Sequence, residues 1–153
     1  MAKGFQQHDI FQNTYSPVSK MQTLKILLTY CCKNDFHIEN MDVETAFLNS
    51  KVKGKVYVKL PPGQHSKSGK VYRVLRALYG LKDSPRQWYD HLHEFLTKRL
   101  KFKRSKIDYC LYFTKIENLL ILILILIFVD DFLICCKDLT IIDKIKRCFC
   151  EKF

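Results

Sequence analysis

Three aspartates are the residues best suited to chemistry in this chain: Asp130 and Asp131 side by side, and Asp42 far upstream. The adjacent pair follows an unbroken apolar run, Leu119 to Val129, and Phe132-Leu133-Ile134-Cys135 resumes the apolar pattern beyond it. Asp42 closes an alternating stretch that starts at Phe36. If the strands bearing these acids are neighbours, three carboxylates converge. Like charges held that close repel unless cations sit among them. Hard divalent cations favour carboxylate oxygen, and Mg²⁺ keeps positions open for phosphate. Two such ions can activate an attacking hydroxyl and stabilise a leaving pyrophosphate. Adjacent acids are also what an ordinary solvated turn contains, so residue type alone leaves both readings open.

The basic residues fit a polyanionic partner. Lysine and arginine number 26 against 15 acids, a formal charge of +11. Such an excess favours nucleic acid or an acidic membrane surface and says nothing about fold. Lys51 to Arg76 holds eight cations and no acid, and Thr97 to Lys106 holds six and no acid. Either run could be a solvated face, or could neutralise a phosphate backbone beside the acids. Other motifs are poor. Gly63 and Gly69-Lys70 miss phosphate-loop spacing, and Val71 stands where serine or threonine belongs. His91 and His93 fall on different faces of a helix. The seven cysteines lack paired C-x-x-C spacing and read as small buried hydrophobes of a reducing compartment.

The elements that must position these groups are partly legible. At 153 residues and 48% hydrophobic, the chain suits one domain or part of a larger one, and not a disordered tail. The 11-residue run from Leu119 to Val129 is too short for a spanning helix, which needs about 20 residues, and reads as a buried strand. The aspartates then sit at a hairpin tip, with a returning strand after them. Ser19-Lys20-Met21-Gln22 matches a capping box for a helix over about 20–33. Ser84-Pro85-Arg86-Gln87 opens a second helix, with serine as the cap, proline at the first helical position and Trp88, Leu92, Phe95 and Leu96 as its apolar stripe. Strands are expected at Val56–Val58, Val71–Leu75 and Tyr109–Thr114. Pro61-Pro62-Gly63 and residues 64–70 read as loop, Glu117-Asn118 as a turn, and about 139–151 as a last helix. The first twenty residues are mostly polar and carry no signal peptide.

Taken in order, several segments resemble the reverse transcriptase domain of copia-type long-terminal-repeat retrotransposons. They are Ala2-Lys3-Gly4-Phe5-Gln6-Gln7, Tyr15-Ser16-Pro17-Val18, Met41-Asp42-Val43-Glu44-Thr45-Ala46-Phe47-Leu48-Asn49, and Val56-Tyr57-Val58 before Pro61-Pro62-Gly63. Leu78-Tyr79-Gly80-Leu81-Lys82 then precedes Pro85-Arg86-Gln87-Trp88-Tyr89, and Phe102-Lys103-Arg104-Ser105 leads to Asp108-Tyr109-Cys110-Leu111-Tyr112. Phe128-Val129-Asp130-Asp131 closes the series.

The resemblance implies an α+β fold: a reverse-transcriptase palm, an antiparallel sheet with helices on one face, plus part of the fingers. It implies a partial domain over residues 1–153, with the N-terminal fingers, thumb and ribonuclease H segments absent. The implied activity is RNA-directed DNA polymerisation, attack of a primer 3′-hydroxyl on a deoxynucleotide. The alternative is a catalytically dead remnant that at most binds nucleic acid. Asp42 and Asp130 would hold two Mg²⁺ or Mn²⁺ ions, with Asp131 nearby. Phe47 would lie under the sugar and select deoxynucleotides, and Val43 would lend backbone contacts. Phe128 replaces a usual tyrosine at the primer end. Lys82 and Arg86 fall in the segment that would pack on template and nucleotide. Asp83 replaces a usual glutamine, placing a negative charge that should repel an incoming triphosphate. The implied partners are an RNA or DNA template-primer, deoxynucleoside triphosphates and the rest of a Gag-Pol-type polyprotein, with no membrane. The implied location is intracellular, in a cytoplasmic virus-like particle or the nucleus.

Overall fold

The unbroken apolar run forms the middle of a sheet in the computed structural model of the chain, which describes residues 2–4, 14–59, 71–116 and 121–153. The described elements are α1 (Met21–Lys33), β1 (His37–Asp42), β2 (Lys51–Val58), β3 (Tyr72–Arg76), α2 (Ser84–Glu94), β4 (Lys103–Arg104), β5 (Leu111–Ile116), β6 (Ile121–Phe128), β7 (Asp131–Cys136) and α3 (Leu139–Cys150). A short 3-10 turn spans Ala46–Asn49, and a π-helical turn, Phe95–Arg99, extends α2. The expected loop at 61–70 and the expected turn at Glu117-Asn118 lie outside the described residues. The chain divides into two compact units, one of Pro17–Glu44 with Leu92–Phe153, the other of Met1–Ser16 with Thr45–His91.

The first unit is built on a five-stranded antiparallel sheet in the order β1-β7-β6-β5-β4. Residues paired across strands share a face, so the register sorts the side chains. Leu126 pairs with Leu133 and Leu124 with Cys135, while Ile127 pairs with Phe132 and Ile125 with Ile134. The first set packs under α1, through Leu24, Leu27 and Cys31. The second set meets α3 on the opposite face, where Phe149 lies 5.0 Å from Phe132 and 5.1 Å from Phe95 between ring centroids. Helices therefore cover both faces of this sheet, not one as expected. Double-sided burial is also why the run through β6 shows no polar alternation.

Local capping departs from the sequence reading in an instructive way. The α1 helix begins after Lys20 and has no side-chain cap of its own, so the Ser19–Gln22 box is not formed. Its entry is held by a remote group instead. The buried Asp108 carboxylate accepts the Lys20 backbone N–H at 2.9 Å. The same carboxylate accepts the Cys110 N–H at 2.9 Å, and the Asp108 carbonyl accepts the Leu111 N–H at 3.1 Å. Those bonds fold 108–111 into a turn, so β5 starts at Leu111 and not at Tyr109. Farther on, Asp138 caps α3, accepting the Thr140 N–H.

The second unit holds the β2–β3 pair. Val56 and Val74 face each other and pack with Leu81 as its core. The β2 strand starts earlier than the expected Val56, at Lys51, and is interrupted by a bulge between Lys51 and Val56 that contains Gly54 at φ 96°. Gly80, also at φ 96°, turns the chain beneath the N-terminal segment. There the Ala2 N–H donates to the Tyr79 carbonyl at 3.0 Å, and a Cβ at Gly4 would collide with the Gly80 carbonyl oxygen.

Candidate functional site

Strand β1 lies against β7, and the last pair in their register is Asp42 with Asp131. The same Asp131 pairs on its other side with Phe128, the last residue of β6. Asp42, Asp131 and Phe128 thus share one face at one end of the sheet. Asp130 sits beside them in the two-residue turn Val129–Asp130 that joins β6 to β7. Val129 has φ 60°, a region that β-branched residues rarely enter. Positive φ at the first central position suits the twist of a tight hairpin, where glycine is the usual occupant. The turn is pinned from β1, because the Val43 N–H donates to the Asp130 carbonyl at 3.0 Å. That bond commits the Val43 amide to positioning Asp130, so it is not open to a substrate.

Asp42 and Asp131 are exposed and Asp130 is half-buried. No lysine or arginine among the described residues forms an ion pair with any of the three. The backbone brings the three acids to one end of the sheet. Their side chains do not close into a cage: among the described residues no three His, Cys, Asp or Glu side chains group tightly enough to hold a metal ion. Phe128 is 54% exposed, an aromatic ring at the edge of this acidic end.

The remaining expected site residues belong to the other unit. Phe47 is buried at the 3-10 turn and packs against Tyr79, ring centroids 4.4 Å apart. Tyr79 has no role in the sequence reading beyond its place in a motif; only the ring contact reveals one, so no spacing could have found it. Lys82 is exposed. Arg86 is tied to Asp90 at 3.0 Å and donates to the Tyr15 carbonyl at 3.2 Å, bonds that fix the start of α2. At Asp83 the structure departs from the expected cap. The helix starts at Ser84, so Asp83 and not Ser84 precedes it, and the Ser84 hydroxyl donates to the Leu78 carbonyl at 2.7 Å. The Asp83 side chain is buried and accepts a hydrogen bond from the Gln87 amide, so its carboxylate is engaged inside the fold.

Asp108 is the other residue whose role spacing concealed. Burial pushes its carboxyl up. Bonds from the Thr23 hydroxyl and the Lys20 and Cys110 N–H groups, with the Lys20 charge, outweigh that and hold it below the usual carboxylate value. The cysteines follow the reading only in part: all seven are free thiols, but Cys31, Cys110, Cys135 and Cys136 are buried whereas Cys148 is half-buried and Cys32 and Cys150 are exposed. No helix among the described residues is long and apolar enough to cross a membrane.

Comparison with known proteins places the chain in a family. The family described as "Reverse transcriptase (RNA-dependent DNA polymerase)" matches residues 1–153. Among relatives, the chain is 34% identical to the Retrovirus-related Pol polyprotein from transposon TNT 1-94 of Nicotiana tabacum, over 100% of this chain and 12% of that protein. It is 33% identical to the Pol polyprotein from transposon RE1 of Arabidopsis thaliana, over 93% and 10%. It is 36% identical to the putative transposon Ty5-1 protein of Saccharomyces cerevisiae, over 70% and 34%. The chain belongs to the reverse transcriptase family of copia-type retrotransposons. It spans only about a tenth of the plant Pol polyproteins it matches. No solved structure matches it at a significant level.

Proposed function

We propose that this chain is the palm and part of the fingers of an RNA-directed DNA polymerase, working within a Gag-Pol-type polyprotein on a template-primer and deoxynucleoside triphosphates. The observation that carries the reading is the Asp42–Asp131 register pair with Asp130 in the adjoining turn. Neighbouring strands hold these acids together although no described cation offsets them, which a purely structural sheet end has no reason to keep. The donor set is carboxylate oxygen alone, which fits a hard divalent cation such as Mg²⁺ or Mn²⁺. Bound there, two such ions would supply Lewis-acid activation of a primer 3′-hydroxyl and charge for a leaving pyrophosphate.

Asp42 and Asp130 would hold the ions, with Asp131 adding negative field beside them. The Val43–Asp130 bond and the Val129 turn fix where Asp130 can reach. Phe47, backed by Tyr79, would present the flat surface that rejects a 2′-hydroxyl. Lys82 is the cation of its segment that remains at the surface, whereas Arg86 acts through the fold.

The alternative, a module that binds nucleic acid without catalysis, is favoured by one observation: the three acids are not closed into a cage among the described residues. Primer extension on an RNA template, with Mg²⁺ or Mn²⁺, separates the two. Extension that Asp130→Asn abolishes, with circular dichroism unchanged, establishes the polymerase. A folded chain that binds template-primer equally well with Asp130 kept or replaced, and extends it in neither case, establishes the binding module.

A further inference from the structure

Two of the buried cysteines meet on the sheet face that α1 covers. Cys135 pairs with Leu124 on one side and Ile38 on the other, which places it on that face. Cys31 lies in the last turn of α1, and both thiols are fully buried in one cluster with Leu27 and Leu126. The Cys135 S–H donates a hydrogen bond to the Cys31 sulfur. The chain itself fixes this meeting. Only residues 34–36 separate α1 from β1, and the Phe36 N–H closes back on the Cys31 carbonyl at 2.9 Å. Strand β1 then lies directly on β7. The neighbouring cysteines are turned elsewhere: Cys32 is exposed, and Cys136 pairs with His37 and Ile123 on the opposite face. Packing alone asks for small apolar residues here. Two thiols in contact, one from each element, add a chemical option that alanine or valine lacks.

We propose that Cys31 and Cys135 form a site of reversible oxidation, where hydrogen peroxide converts the thiol pair to a disulfide that staples α1 to β7. The Cys31 thiolate attacks one peroxide oxygen: an S–O bond forms, the O–O bond breaks, and the departing hydroxide takes up the thiol's proton as water. The Cys135 sulfur then displaces the hydroxyl from Cys31: the S–S bond forms, the S–O bond breaks, and the Cys135 proton leaves with that hydroxyl as a second water. The two thiols give up two electrons and two protons, and the peroxide is reduced to water. Burial pushes both thiols up, and the bond from Cys135 offsets part of that at Cys31, so Cys31 ionises first. Reaction therefore waits on opening of the last α1 turn and is slow. A dithiol reductant reverses it by exchange. The disulfide closes the long loop from residue 31 to residue 135, the kind of closure that constrains an unfolded chain most. None of the three aspartates takes part, so the proposal stands apart from the polymerase reading.

The test is peptide mapping by mass spectrometry, without reduction, of the full folded chain after dilute hydrogen peroxide and alkylation of the remaining thiols. The tryptic peptide Ile26–Lys33 should be joined to the one ending at Lys137, lighter by two hydrogen atoms than the two reduced peptides together, and dithiothreitol should part them. The join should persist in Cys32→Ser and in Cys136→Ala and vanish in Cys135→Ala. The oxidised parent should melt at least about 5 °C above the reduced one, a gain that dithiothreitol removes and Cys135→Ala never shows. A folded parent that takes up oxygen at Cys32 or Cys150 while Cys31 and Cys135 stay reduced overturns the proposal. So does a join that needs Cys32 or Cys136, or one that leaves the melting temperature where it was. The mapping is read on the parent, so it decides the matter even where Cys135→Ala fails to fold.

Discussion

Replacing Asp108 with alanine should cost the fold much of its stability. The carboxylate accepts the Lys20 and Cys110 N–H groups at 2.9 Å each and bonds the Thr23 hydroxyl. Hydrogen bonds to a charged acceptor contribute about 1.5–3 kcal/mol apiece, and a buried donor left without a partner costs about 1–3 kcal/mol more. The Lys20 N–H lies near the surface and can rehydrate, but the Cys110 N–H is buried and stays unmatched. A loss of about 3 kcal/mol follows, or about 6–12 °C in melting temperature for a chain of this size. Asp108→Asn keeps one acceptor oxygen and should lose roughly half as much. The effect reaches the acidic end, because the Cys110 carbonyl accepts the Ile127 N–H at 3.0 Å, three residues before Asp130. Amide exchange at Ile127 should therefore quicken in both variants.

The pH dependence supplies a sharper check. The folded carboxyl of Asp108 lies below its unfolded value of about 3.9. A depressed acid stabilises the fold at pH values above the unfolded pKa, and that contribution fades as pH falls through the folded one. The melting gap between parent and Asp108→Asn should hold steady above about pH 5 and narrow below about pH 4. Thermal melts followed by circular dichroism across that range read both numbers. Melts within about 2 °C of each other at neutral pH, or a gap that does not narrow in acid, refute the assigned anchoring.

Two further outcomes test the packing. Phe149→Ala removes a fully buried ring that meets both Phe132 and Phe95, and should destabilise by about 3–5 kcal/mol, seen as an early urea transition. Titration with an aromatic disulfide reagent should label Cys32 and Cys150 at once, and Cys31, Cys110, Cys135 and Cys136 only on unfolding. Burial pushes the Cys110 thiol up to about 12, so raising the pH from neutral to mildly basic should not bring it into the fast class; rapid labelling of a buried thiol would contradict the core assignment.

What the sequence disclosed follows from how local each cause is. The hairpin at Asp130 was legible because apolar strands broken by two acids admit few other shapes, and α1 because its apolar spacing is helical. Register was not legible. That Asp42 faces Asp131 depends on β1 choosing β7 as its neighbour, which no residue near Asp42 announces. The caps failed for the same reason. Ser19 looked sufficient, yet the acceptor that holds the start of α1 is Asp108, 88 residues away from Lys20. Asp83 shows the same limit: the family resemblance marks it as a negative charge near an incoming triphosphate, and only the structure shows that its side chain is buried and bonded by Gln87 four residues on.

The helices on both sheet faces could have been read, and the reason bears on function. A strand covered on one side alternates, and β6 does not. A sheet whose central strands are buried on both faces keeps only its ends for chemistry. In this unit the β6–β7 end carries two adjacent acids, and the paired end of β1 carries the third. The chain places its uncompensated carboxylates where double-sided packing leaves the backbone rigid and the side chains within reach of solvent. Under the proposed polymerase reading, that combination would give a divalent cation a fixed site without burying the carboxylates meant to bind it, which is what positioning and electrostatic stabilisation in phosphoryl transfer require.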